Sequence, residues 1–208
     1  MRDETESRLR SSLSEIPSLA GYSGPVERLG GLTNLVFRVG GACVRLPGPG
    51  TEEYINRAHE AEAARAAADP DSGIMATRFI DGARTLSPEG YRADPSAVRR
   101  TGEVFRRLHA SGARFPFTFE LFAMIDDYLA ILSTKDVTLP DGYHDMVNEA
   151  QIVRSALAKN PVELVACHCD PLCENFLDTG ERVFIVDWEY SGMNDPMWDL
   201  GDLSVEGA

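Results

Sequence analysis

The stretch "HCDPLCENFLDTGERVFIVDWE", residues 168–189, constrains this chain more than any other. Two short apolar runs, "NFLD" and "VFIV", flank Thr179-Gly180, so the spacing predicts a β-hairpin turning there. Folding at that turn returns Asp187 to the neighbourhood of Asn175. Asp170, Asn175 and Asp187 then converge at one end of the hairpin. Asp and Asn oxygens are hard donors suited to Mg²⁺, which takes few protein ligands and completes its shell with water and phosphate. Asp170 sits where a carboxylate can accept a proton from an attacking hydroxyl.

Three of the four cysteines, Cys167, Cys169 and Cys173, crowd the same region, so a thiolate metal knot competes with the oxygen site. The spacing C-H-C-x-x-x-C fits zinc poorly, because structural sites pair C-x(2–4)-C units with a second pair elsewhere. Cys167 and Cys169 also stand at strand-like i, i+2 positions with His168 facing the other way. Cys43 lies far from the rest. Buried, inert thiols are the better reading, in a chain whose N-terminus has no apolar leader segment.

A net charge of −13 argues against a nucleic-acid partner, which needs clustered Lys and Arg, and is compatible with a cationic small substrate. No apolar run approaches the ~20 residues of a membrane span. The expected location is the cytoplasm.

Along the chain, residues 1–16 read as a short acidic helix. "VERLGGLTNLVFRVGGACVRLPGPG" reads as strand, turn, strand, tight turn, strand, with Gly40-Gly41 as the second turn. That register sets Val36 opposite Arg45. Residues 51–68 read as a helix capped by Thr51, and 73–80 as a buried strand. A linker follows, and then a helix opened by Asp94 and Pro95 whose inner face is Val98, Thr101, Phe105 and Leu108. Further helices are expected at 118–132 and 143–159, a strand at 162–167, and a short helix near the end. His109 reads as a helix-end packing residue, His59 and His144 as solvent-facing. The pairs Arg99-Arg100 and Arg106-Arg107 read as a solvated helix face. The fold class is α+β, in two lobes: residues 1–80, mostly sheet, and 81–208, mostly helical, with a ligand cleft between them.

"HCDPLCEN" has the form H-x-D-x-x-x-x-N, and "IVDWE" adds the second acid, as in kinase-like phosphotransferases. With "GGLTNLVFRV", "CVRLPGPGTEEYINRAHE", "TRFIDGARTL", "RRLHASG" and "VDWEYSGMNDPMWDLG" in the same order, the chain resembles the choline/ethanolamine kinase branch of the aminoglycoside phosphotransferase-like superfamily. The resemblance implies a protein kinase-like fold with a small antiparallel N-lobe sheet, using ATP and Mg²⁺. By that resemblance Asp170 is the catalytic base and His168 buttresses its loop. Asn175 and Asp187 hold Mg²⁺, with Glu189 assisting. Gly30, Gly31, Leu32, Thr33 and Asn34 lie over the phosphates. Arg45 reaches the α- and β-phosphates with Glu60 as its helix partner, while Met75, Thr77 and Phe79 border the adenine. The substrate residues are Asp170 and Tyr190; Tyr190 either helps enclose the substrate's ammonium group through a cation–π contact or simply packs with its hydroxyl at the surface.

Two departures from the family pattern carry expectations. The stretch from Glu60 to Met75 is short, so the N-lobe sheet is expected to lack a strand. The chain also stops soon after "DLGDLS", where choline kinases continue through helices that complete the cation pocket, so Trp198 and Leu200 are expected to be partly uncovered. A small-molecule kinase acting on choline or ethanolamine is the first reading. A kinase for an aminoglycoside, thiamine or similar amine-bearing alcohol is the second. A catalytically silent nucleotide-binding or interaction protein, which binds nucleotide without turnover or dimerises through an exposed C-lobe surface, is the third.

Overall fold

The computed structural model describes residues 2–31, 34–48, 60, 67–69 and 74–207. Its first layer is a five-stranded antiparallel sheet built from β1 (Val26–Gly30), β2 (Asn34–Val39), β3 (Ala42–Pro47), β4 (Ala67–Asp69) and β5 (Ile74–Arg78), in the order β1-β2-β3-β5-β4. Strand alternation divides the sheet cleanly into two faces. Phe37, Val39, Val44, Leu46, Ile74 and Ala76 point to one face, where Leu9 and Leu13 of helix α1 (Arg2–Leu13) and Ile16 close a buried core. Val36, Arg45 and Met75 form a cross-strand row on the other face, as do Arg38, Cys43 and Thr77. The predicted pairing of Val36 with Arg45 is therefore the observed one.

One expectation for this layer needs correction. The sheet lacks no strand: β4 pairs with β5, Ala67 opposite Ala76 and Asp69 opposite Ile74. Alanine favours helices, so three residues of sequence "AAD" give no strand signal, and pairing with a neighbour decides their conformation. In the β2–β3 turn only Gly40, at φ +60°, uses the left-handed region; Gly41 does not. The predicted helix at 51–68 falls largely outside the described residues; Glu60 is helical, but Ala67 and Ala68 at its predicted end are strand.

Within the predicted linker lie β6 (Arg84–Thr85) and helix α2 (Pro88–Ala93), the latter capped by the Ser87 hydroxyl. Helix α3 (Pro95–His109) starts as expected, with Asp94 Oδ1 accepting from the Ser96 N–H at 3.0 Å. Its buried face is Ala97, Thr101 and Phe105, a strict i, i+4, i+8 row, and Val98 is half exposed instead. Helices α4 (Leu121–Ser133) and α5 (Tyr143–Lys159) follow, then β7 (Val165–Cys167), the hairpin β8 (Phe176–Asp178) and β9 (Val183–Ile185), β10 (Gly192–Asn194) and α6 (Pro196–Glu206). β6 joins β8-β9 as a third strand, and β10 pairs with β7. Phe105, Phe176, Leu86, Tyr91 and Val183 form the second core. Neither α4 nor α5 has a fully buried residue. Trp198 is half-buried and Leu200 is exposed, as the sequence led us to expect.

Arg100 does not belong to a solvated face. Its guanidinium forks onto Asp178, Nε to Oδ1 at 3.0 Å and Nη2 to Oδ2 at 2.7 Å, and Asp178 is fully buried at the end of β8. Burial alone would raise the Asp178 carboxyl. Arg100, the Gly180 N–H and Arg84 outweigh that and hold it below the usual carboxylate range. Replacing Arg100 by Ala leaves a buried charge faced only by the exposed Arg84 and the Gly180 N–H. We expect Arg100→Ala to lower stability in urea unfolding by about 2–3 kcal/mol, whereas Arg99→Ala stays within about 0.5 kcal/mol of the parent.

Candidate active site

The loop after β7 is held from behind by one carboxylate. Asp199, fully buried on α6, accepts the His168 N–H at 3.0 Å and the Cys169 N–H at 2.8 Å, and also meets His109 Nε2 at 2.8 Å. His109, at the end of α3, thus does more than pack. Burial depresses His168 below the ordinary imidazole range, so its ring is neutral. Its Nε2–H donates to the Val186 carbonyl at 3.0 Å, and Trp188 meets the ring edge-on. His168 thereby ties the loop to the outgoing strand of the hairpin. Cys169 takes φ +69°, a left-handed conformation uncommon for a residue with a side chain. Asp170 follows directly.

A 3₁₀ turn, Cys173–Asn175, leads into β8. The Asn175 amide donates to the Asp170 carbonyl at 2.8 Å and to its carboxylate Oδ2 at 3.3 Å. The Val186 N–H donates to the Asn175 carbonyl at 2.9 Å, which brings Asp187 alongside as the hairpin predicted. Asp187 is itself left-handed, at φ +63°. Burial lifts the Asp170 carboxyl to about 6, reinforced by Glu189 and Asp202. Asp187 is raised as well, through burial first and Glu189 next, while Arg45 opposes the shift.

From the sheet, Arg45 enters this acidic space with only 7% of its surface exposed. It pairs with Glu60, with Asp187 Oδ1 at 3.3 Å and with Glu189 Oε2 at 3.4 Å. Asn34 Nδ2 also donates to Glu189 Oε2, at 3.3 Å. Carboxylate oxygens of Glu60, Asp187 and Glu189 lie within 4.8 Å of one another. The buried Arg45 Nε–H has no hydrogen-bond acceptor among the described residues. Gly30 and Gly31 lead into β2 at φ +146° and +106°, and a Cβ on Gly31 would collide with the Asn34 carbonyl, so only glycine serves there. Leu32 and Thr33 lie outside the described residues. Met75 is buried in the row with Arg45, and Thr77 stands exposed beside Cys43. Phe79 lies under the Arg38 guanidinium, which is 4.0 Å from its ring centre.

Tyr190 is half-buried, and its hydroxyl is bonded to Tyr128 of α4. Sequence reasoning missed Tyr128, which hides in the apolar helix "LFAMIDDYLAILS". It also gave no role to Asp199, although an acid between Trp198 and Leu200 was the available signal. The thiols are occupied otherwise. Cys167, His109 and Asp199 come within 4.8 Å of one another, but the Asp199 oxygens already accept the three contacts above, and burial drives the Cys167 thiol far up in pKa, keeping it protonated.

The sequence model of the choline/ethanolamine kinase family matches residues 26–208. A choline/ethanolamine kinase family protein from Mesorhizobium loti is 63% identical in sequence. Its crystal structure superposes with a TM-score of 0.82 over 97% of this chain and 70% of that one. The choline kinase LicA from Streptococcus pneumoniae, 26% identical, also gives a TM-score of 0.82, over 98% of this chain and 75% of its own. Protein LicA of Haemophilus influenzae is 29% identical over 201 residues, 89% of this chain; the match spans 59% of that protein's length.

Two outcomes test this geometry. Asp199→Ala strands two buried N–H groups, and we expect about 3 kcal/mol less stability in chemical denaturation. The second concerns pH. The folded pKa of Asp170 exceeds its unfolded value, so the fold binds more protons between about pH 4 and 6, and its contribution to stability falls as pH rises through that window. Asp170→Asn removes that contribution. Thermal melts should show it more stable than the parent at pH 7.5, by about 1 kcal/mol after discounting for solvent access, with the gain vanishing near pH 4.

Proposed function

This chain belongs to the choline/ethanolamine kinase family, and on that footing we propose that it transfers the γ-phosphoryl group of ATP to the hydroxyl of a small amino alcohol, choline or ethanolamine. The observation that carries the reading is Asp170. Its carboxyl is presented by a left-handed Cys169, positioned by the Asn175 amide, and lifted to about 6, close to the working range of a general base. Asp170 orients the substrate hydroxyl and accepts its proton. The hydroxyl oxygen forms a bond to the γ-phosphorus as the bond from that phosphorus to the β-bridging oxygen breaks, and ADP departs.

Nucleotide binding is supported by the sheet's second face. Arg45 brings to the cleft a buried N–H that lacks an acceptor among the described residues, which a phosphate oxygen suits, and Gly30, Gly31 and Asn34 let backbone approach closely. Met75 and Thr77 share that face, where adenine would lie. Asn175, Asp187 and Glu189 are the groups to hold Mg²⁺, and their hard oxygens fit it. When bound, the ion offsets phosphate charge. His168 keeps the loop and the hairpin in register and touches no reacting atom.

For the acceptor, Tyr190 borders the acidic space around Asp170 and Glu189, with Asp202 and Glu206 of α6 close enough to act on Asp170. An aromatic ring amid carboxylates suits an ammonium group. We place the two lobes at residues 1–80 and 81–208, with this chemistry between them. No helix among the described residues is long and apolar enough to cross a membrane, and the four free cysteines fit a cytoplasmic setting.

The test is Mg²⁺-dependent ADP release by the purified chain with choline, ethanolamine, thiamine and an aminoglycoside. We expect turnover with one of the first two, reduced at least roughly a hundredfold by Asp170→Ala while ATP still binds. Turnover only with another amine would change the substrate class. ATP binding without turnover on any amine would favour a silent nucleotide-binding protein.

A further inference from the structure

Arg45 contacts three carboxylates, Glu60 from one part of the chain and Asp187 and Glu189 from another, and a single atom makes two of those contacts. Nη1 lies 3.3 Å from Asp187 Oδ1 and 3.4 Å from Glu189 Oε2. The guanidinium therefore sits between the two acids just assigned to the metal, in the space that a cation joining them must enter. Three carboxylates within 4.8 Å of one another can all be ionised only with positive charge among them. In this structure the charge is supplied by Arg45.

The fork is not saturated where it stands. Nη2 is committed to Glu60 and Nη1 to the two acids, while the buried Nε–H has no acceptor among the described residues. A phosphate oxygen supplies that acceptor and competes for Nη1, because phosphate takes a forked contact from guanidinium. We propose that Arg45 is the resident counter-ion of the metal pocket, yielding its place to a divalent cation only when nucleotide phosphates offer the guanidinium a second partner. The proposal rests on reading Asp187 and Glu189 as metal ligands. Its consequence is that metal and nucleotide bind as one unit. Free divalent cation meets a guanidinium in its way, and adenosine, which has no phosphate, does not move it.

Mn²⁺ binding to the full chain without nucleotide, followed by electron paramagnetic resonance, tests this. The parent should bind Mn²⁺ only weakly. The double variant Arg45→Gln with Glu60→Gln removes the guanidinium together with the carboxylate it would strand. It should bind roughly tenfold tighter or better, and Asp187→Asn added to it should return affinity to the parent level. Arg45→Lys keeps the buried pair with Glu60 but presents one ammonium that cannot bridge both acids. It should shift affinity the same way by a smaller factor, and it serves if the double variant does not fold. Adenosine should leave the parent unchanged.

A parent that binds Mn²⁺ alone as tightly as these variants overturns the proposal, as does adenosine opening the site. If the variants gain no affinity while Asp187→Asn still weakens Mn²⁺–ATP binding by the parent, the counter-ion role fails and the site reading stands. If Asp187→Asn weakens neither, the site reading falls and the proposal with it.

Discussion

The buried carboxylate of Asp199 is the contact on which the rest of this structure depends. A charge so far from water is tolerated only when it is surrounded by donors, and here the donors are two consecutive backbone N–H groups and a histidine from another helix. Those N–H groups belong to His168 and Cys169, the residues immediately before Asp170. Helix α6 thus determines where the acidic loop sits, and α3 braces the same carboxylate through His109. His168 carries the positioning onward by gripping the Val186 carbonyl, one residue before Asp187. Three elements far apart in sequence are fastened at a single point, and both acids of the hairpin mouth are located from it.

The mouth itself is held in an unrelaxed condition. Cys169 and Asp187 adopt backbone conformations that cost of order 1–3 kcal/mol for residues with side chains. Asp170 and Asp187 are carboxyls that burial and like charge make reluctant to ionise. Such a cluster survives because the surrounding structure fixes it, through the Asp199 anchor and the guanidinium of Arg45. Elsewhere the chain handles buried charge differently. Asp178 is saturated by Arg100, Arg84 and a backbone N–H, and its carboxyl ends below the normal range. The contrast between Asp178, at the end of β8, and Asp170, in the loop that leads to it, separates a satisfied structural acid from one kept available for chemistry.

Much of this could be read from the sequence, and the reasons are physical. The turn at Thr179-Gly180 and the apolar runs beside it dictated the hairpin, and the hairpin dictated that Asn175 and Asp187 meet. Alternation in β2 and β3 placed Arg45 on the face opposite Phe37 and Val44. What escaped detection lacked a local signal. The β4 strand is written in alanines, which speak for helix. The inner face of α3 turns on Ala97, smaller than the Val98 that pattern reading preferred. Arg100 looks like its solvated neighbour Arg99 until the fold brings Asp178 beneath it. Tyr128 meets Tyr190 only through tertiary contact. Each miss is decided by packing or pairing with another element, which periodicity within one segment does not reveal.

The row Val36–Arg45–Met75 has a wider implication for how this site can be inherited. Because neighbouring residues in a strand face opposite ways, the apolar residues that choose the core face also choose the face on which Arg45 appears. Phe37, Val39, Val44 and Leu46 touch none of the acids, yet they set the reading frame of the cleft. A substitution among them leaves Arg45 aimed correctly and only weakens the fold. A single-residue insertion or deletion within β3 leaves composition almost untouched and turns the guanidinium into oil. Drift in this strand is thus free to change letters, but not to change their count.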